Sequence, residues 1–346
     1  MAVIQDLPPE LLRRVLELLS NSYYPRPARN LPNTSLVARA WTRPSQDLLI
    51  SAVVFNRSDT PRYTKRLRSV STRTLDRADL DYNSAQKVLE LLTEAKATVR
   101  SLNIVGAKGQ DLDLGIMSFK MLAGLHSLHL EGYFKGQPPI PSDATIELKA
   151  LTLDFDYLPP PAFLDSLIGA APFLTRLELY TRAMGQFPEG YSTALPVLAL
   201  QLHHLSIRAD ATSTPTHPRK VDLHGFVASC TSLRSLELDY ATPASITATL
   251  TAVRSPLLLL ETEMKQWSEV ADERGMADLV DVLKHPSLAQ LKRWRIFGYP
   301  RSSHPLPKDA RTHWEDACRA RGVEPRDKRR FFTDYPAEDV DVLDGE

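Results

Sequence analysis

The chain has 346 residues, 43% of them hydrophobic and 24% charged, and its 42 basic residues balance 42 acidic ones. That length exceeds the ~100–200 residues of a typical domain, so it points to two domains or to a repeat array, and the neutral balance argues against nucleic acid as a bulk electrostatic partner. Two cysteines, Cys230 and Cys318, are too few for a disulfide framework and lack the spacing of a metal site.

Asp6 and Glu10 stand where a secretory leader needs a basic start and an apolar run, and no uninterrupted apolar stretch approaches the ~18 residues of a membrane span. The expectation is an intracellular protein, cytoplasmic or nuclear, that does not engage a membrane.

The first predicted helix is LPPELLRRVLELL, residues 7–19. Pro8 and Pro9 suit a first helical turn, Glu10 complements the helix dipole, and Leu11, Leu12, Val15, Leu16 and Leu19 form one apolar stripe. A Pro-rich segment, SYYPRPARNLP, leads to a second helix that Thr34 or Ser35 can cap, with Leu36, Val37, Ala40 and Trp41 on one face. Pro44 opens a third helix, whose apolar positions are Leu48, Leu49, Ala52 and Val53. Three helices this short bury little area by themselves, so they require something to pack against. A basic connector follows between Arg57 and Arg73, with Asp59 as its one acid.

From residue 74 the chain becomes repetitive. TEAKATVRSLNIVG, LHSLHLEG, LKALTLDF, AAPFLTRLELY, LHHLSIRAD, SCTSLRSLELDY and KHPSLAQLKRWRIFG share an apolar residue, two or three variable ones, then apolar, variable, apolar. Their middle residues are Leu102, Leu128, Leu151, Leu177, Leu205, Leu236 and Trp294. The intervals run from 23 to 31 residues, except for the last of 58, which is two repeats with a further strand in PLLLLETEM near Leu259. Helical spacing appears between the strands in SAQKVLELLTEA, PAFLDSLIGAAPF, LHGFVASCT and MADLVDVLKHP. One helix-strand unit cannot bury its apolar face alone, so the units stack into an α/β solenoid, with parallel strands on the concave side and helices outside. The alternative is a doubly wound sheet, but its strands run continuously apolar, whereas these alternate. The solenoid is expected over 74–299, a helical cap with a buried Cys318 over 300–325, and a charged tail over 326–346 whose acids favour disorder after Tyr335.

Three N-terminal segments carry a family resemblance. LPPELLRRVLELL resembles the LPxELLxxIlxxL start of an F-box, SLVARAW its LVCRxW centre, and LLISAVVF its closing leucine-rich helix, in order and at the family's spacing. Followed by leucine-rich repeats, they make residues 1–55 similar to the F-box of the leucine-rich-repeat F-box proteins that fungi carry in large numbers. Ala38 replaces the family's usual Cys, and no Asn or Cys follows the LxxLxL core, which implies irregular turns. The resemblance implies a substrate-recognition subunit of a Skp-cullin-F-box ubiquitin ligase. The Skp adaptor, and through it a cullin, would dock on Leu7, Pro8, Leu11, Leu12, Val15, Leu16, Leu36, Val37 and Trp41, while Leu19, Ala40 and Leu48 pack inward. The rival expectation is a repeat scaffold whose N-terminal helices merely cap the solenoid.

On alternating strands the residues beside the leucines face the groove. They form one column of Asn103, His129, Thr152, Glu178, Ser206, Glu237 and Arg295 and a second of Val105, Glu131, Asp154, Tyr180, Arg208, Asp239 and Phe297. The candidate target site is Glu131, Asp154, Glu178, Tyr180, Arg208, Glu237 and Asp239, a mostly acidic field around an aromatic anchor that favours a target with a basic segment. Catalytic patterns are thin. His203 and His204 fall on opposite strand faces as surface histidines, Asp154 and Asp156 lack an accompanying acid-base partner, and no glycine-rich phosphate loop occurs. The expectation is a protein that is no enzyme and needs no cofactor or metal.

Overall fold

The structure is a computed structural model, and it describes residues 52–55, 74–80, 85–94, 96–106, 111–154, 159–181, 194–209, 223–241, 243–264, 277, 280–298 and 308–327. Its strands are β1 (Ala52–Phe55), β2 (Thr74–Leu80), β3 (Thr98–Val105), β4 (Leu112–Asp113), β5 (Ser127–Glu131), β6 (Phe134–Lys135), β7 (Ala150–Asp154), β8 (Arg176–Thr181), β9 (His204–Ala209), β10 (Ser235–Ala241), β11 (Leu259–Met264), β12 (Arg293–Gly298) and β13 (Glu324–Asp327). The helices are α1 (Ala85–Glu94), α2 (Phe119–Ala123), α3 (Pro161–Ala170), α4 (Ala194–Gln201), α5 (Leu223–Ser229), α6 (Pro243–Ala252) and α7 (Lys308–Ala320).

Among the described residues, eleven strands form one sheet in the order β1-β2-β3-β5-β7-β8-β9-β10-β11-β12-β13, and β4 with β6 makes a small second sheet. Every pairing in the long sheet is parallel. Strand order follows chain order throughout, without the reversal at which a doubly wound sheet binds its ligands. The result is a mixed α/β, solenoid-like fold in which each strand meets chiefly the strands before and after it.

The reason lies in two apolar rows. Leu102, Leu128, Leu151, Leu177, Leu205, Leu236, Leu260 and Trp294 stand side by side in register, every one at most 1% exposed. Two residues further along each strand, Ile104, Leu130, Leu153, Leu179, Ile207, Leu238, Thr262 and Ile296 make a parallel row. Helices cover this face: Val88, Leu89 and Leu92 of α1, Phe163, Leu164 and Leu167 of α3 and Ile246 and Leu250 of α6 are buried in the same core. Thr262 is the polar exception, and its buried hydroxyl accepts the indole N–H of Trp294 at 3.2 Å.

The units are stitched where the chain enters each strand. The carbonyl of Lys149 accepts the N–H groups of Thr175 and Arg176, that of Thr175 those of His203 and His204, and that of His203 those of Arg234 and Ser235. Arg234 and Leu258 continue the series toward β12. This backbone ladder needs no particular side chain, so the intervals between strands can vary while the register holds. Residues 155–158, 182–193, 210–222 and 265–276, where the expected irregular turns fall, lie outside the described residues.

The sheet begins and ends beyond its expected limits. Ala52 and Val53, expected on the third helix, belong to β1, which pairs with Arg77–Leu80 of β2. Val53, Val54 and Phe55 are strand-favouring types, and a partner strand is available to them. The repeat sheet therefore starts at Ala52 rather than at residue 74. At the other end Arg326 and Asp327, expected in the tail, belong to β13, and Pro325 pairs with Trp294. Proline removes a ladder donor, but β13 is the terminal strand, where that loss is tolerated. Of the helix expected over 276–286, residues Val282–Lys284 form a 3-10 turn. Cys318 is buried in α7 as expected, and burial pushes its thiol up to about 12.

Candidate functional site

Period-two alternation turns the residues between the leucines away from the helices. The register aligns Asp79, Asn103, His129, Thr152, Glu178, Ser206, Glu237, Glu261 and Arg295 in one row of this polar face. A second row aligns Val105 with Glu131, then Asp154, Tyr180, Arg208 and Asp239. A third, at the strand entries, runs Arg77, Ser101, Ser127, Ala150, Arg176, His204, Ser235, Leu259 and Arg293. The candidate target residues therefore share one face, and the entry row sets Arg176 beside Glu178 and His204 beside Glu237.

Glu178 is held from two neighbouring side chains. Arg176 donates to its Oε1 from Nε at 3.1 Å and from Nη2 at 2.9 Å, and Thr152 Oγ1 donates to Oε2 at 3.2 Å. Its charge is thus matched by a neighbour two residues earlier on the same strand face, a spacing visible in the sequence. Tyr180 lies between His129, ring centroids 5.8 Å apart, and the Arg208 guanidinium, 4.8 Å from its ring centroid. Such a cation-aromatic stack flattens and orients the guanidinium. Glu131 stands 3.9 Å from His129 Nε2, and Asp154 is buried on β7. Asp239 is placed by its backbone pairing with Arg208.

Side-chain exposure is 43% for Glu131 on β5, 28% for Glu178, 18% for Glu237, 9% for Glu261 and 2% for Arg295, while Thr152 and Asp154 of β7 and Ser206 of β9 are buried. Of the candidate target acids with described side chains, Glu131, Glu178 and Glu237 therefore reach solvent and Asp154 does not. On β11 and β12, Arg295 donates from Nη1 to Glu261 Oε1 in a buried pair, where attraction offsets the large cost of desolvating both charges. Arg295, which the sequence placed in the groove column, is closed off there.

His204 differs from expectation most. It is not a surface histidine but lies buried, with Nδ1 3.0 Å from Ser235 Oγ and Nε2 3.9 Å from Glu237 Oε2. Burial, helped by the nearby Arg176 charge, lowers its pKa to about 3. The ring is therefore neutral at physiological pH, and the proximity to Glu237 is no ion pair. So weak a base does not take a serine proton, and Ser235 is itself 3% exposed, so Ser235, His204 and Glu237 suit strand positioning rather than nucleophilic catalysis.

A stability consequence follows. The folded-state pKa of about 3 lies below the ordinary 6.5, so the unfolded chain binds the proton more readily and His204 costs stability as pH falls from 6.5 toward 3. Linkage puts the loss between pH 7.5 and pH 5 at about 2 kcal/mol. Urea unfolding at both pH values, in the native chain and in His204→Gln, is expected to show that loss only in the native chain. Equal pH dependence in the two would remove the assignment.

The expected adaptor residues Leu7, Pro8, Leu11, Leu12, Val15, Leu16, Leu36, Val37 and Trp41 lie outside the described residues. Among the described residues, no three His, Cys, Asp or Glu side chains are grouped to hold a metal ion, and no helix is long and apolar enough to cross a membrane. No protein-family model matches the chain and no curated protein matches it.

Proposed function

We propose that the chain is the substrate-recognition subunit of a Skp-cullin-F-box ubiquitin ligase, working in the cytoplasm or nucleus without catalytic residues of its own. Residues 7–49 dock the Skp adaptor, and a leucine-rich-repeat domain holds a target protein on its polar face. The observation that carries the reading is the ordered set LPPELLRRVLELL, SLVARAW and LLISAVVF, the last of which runs into β1 at the start of the helix-strand repeats. The parallel sheet supports the second half, because it sets Glu131, Glu178 and Glu237, which reach solvent, on one face. The test is comigration of the full chain with a Skp adaptor from the same organism on size exclusion, and separate elution of the two proteins removes the reading.

One observation favours the second reading, a non-catalytic scaffold whose N-terminal helices cap the solenoid. The N-terminal segment leads straight into β1, which pairs with β2 and so joins the sheet. In that case deleting residues 1–50 lowers the melting temperature of the remainder, and no adaptor is captured.

A further inference from the structure

The buried group on β9 and β10 contains one atom that the fold leaves unserved. His204 Nε2 makes no hydrogen bond, is shielded from solvent, and stands 3.9 Å from Glu237 Oε2. A carboxylate beside a buried N–H closes to about 2.7–2.9 Å, because a charge-assisted bond is strong where water is excluded. A separation of 3.9 Å is instead that of two lone-pair atoms. That separation fits a ring protonated on Nδ1, with Ser235 Oγ 3.0 Å from Nδ1 and a bare Nε2 toward the carboxylate.

We propose that Glu237 and His204 Nε2 together receive the ammonium of a lysine side chain from the bound protein. The inference rests on the polar face being the target-holding surface and adds the chemical group that is read there. An ammonium nitrogen ~2.9 Å from each acceptor spans the pair with two of its three N–H bonds, and no anion or apolar group relieves two facing lone pairs. Glu237 is the more exposed of the two and so the side from which the ammonium approaches. The Arg176 charge near His204 is matched by Glu178, and the register places Glu131 and Asp154 in the neighbouring row with Arg208.

The experiment uses the full chain labelled with 15N-histidine and long-range imidazole spectra, with His204→Gln and Ser235→Ala to assign the resonance. The free protein is expected to show His204 Nε2 as a bare nitrogen. A ten-residue peptide alternating lysine and glycine, added to millimolar concentration, is expected to shift it saturably, and the same peptide with acetylated lysines to leave it unmoved. Glu237→Gln is expected to weaken that response at least ~10-fold. A proton on Nε2 in the free protein, an equal response to the acetylated peptide, or no response to the lysine peptide would overturn the proposal. Glu237 lies outside residues 7–49, so its variant still comigrates with the adaptor. Failure of the native chain to comigrate removes the ligase reading and leaves the ammonium site to the spectrum.

Discussion

Trp294→Ala is expected to destabilise the C-terminal end of the sheet by about 3–5 kcal/mol, the range for emptying a fully buried large aromatic site. Trp294 occupies the row that the strands of the long sheet from β3 to β11 fill with leucine, and none of it is exposed. It stands edge-on to Trp314 of α7, ring centroids 6.2 Å apart at 88°, and its N–H satisfies the buried Thr262 hydroxyl. Alanine removes the side-chain volume, the aromatic contact and that hydrogen bond together. Trp294→Leu restores the residue type of the row but not the last two, so a smaller loss is expected. Urea unfolding followed by far-UV circular dichroism, with limited proteolysis to locate the first cleavage, measures both variants. A repeat array can lose one end before the rest, so early cleavage near α7 with the remaining sheet intact is the expected pattern. A cost below ~1 kcal/mol for alanine would show that α7 does not close this end of the core.

Leu12→Asp and Trp41→Ala are each expected to abolish comigration with the Skp adaptor. Leu12 sits in the centre of the first apolar stripe, and a carboxylate there must be desolvated without a partner if the interface is to form. Trp41 is the largest apolar residue of the second segment, and aromatic anchors of this kind commonly contribute 2 kcal/mol or more, a loss of about 30-fold in affinity. Both precede the first described strand, so urea unfolding of the repeats is expected to match the native chain. Retained comigration would move the adaptor face elsewhere, and a lowered unfolding midpoint in either variant would favour the capping role.

The sequence by itself determined the repeat and its two faces, because a position with no solvent exposure accepts almost nothing but an apolar side chain and a strand's period of two assigns each neighbour to a side. That is why the row from Leu102 to Trp294 was legible, and why the strand missing from the 58-residue interval could be placed near Leu259, where β11 lies. Legibility failed where the row is filled by an unusual residue. Ala78 takes the leucine slot of β2, Pro325 that of β13, and the short apolar run of β1 satisfies a helix period as readily as a strand. Tertiary structure alone decided what the polar residues do, because their partners are distant in the chain. Ser235 lies 31 residues from His204, Arg295 lies 34 from Glu261, and Thr152 lies 26 from Glu178. Residue type marks a histidine as titratable, but only the packing of neighbouring strands around it removes water and holds His204 neutral beside Glu237.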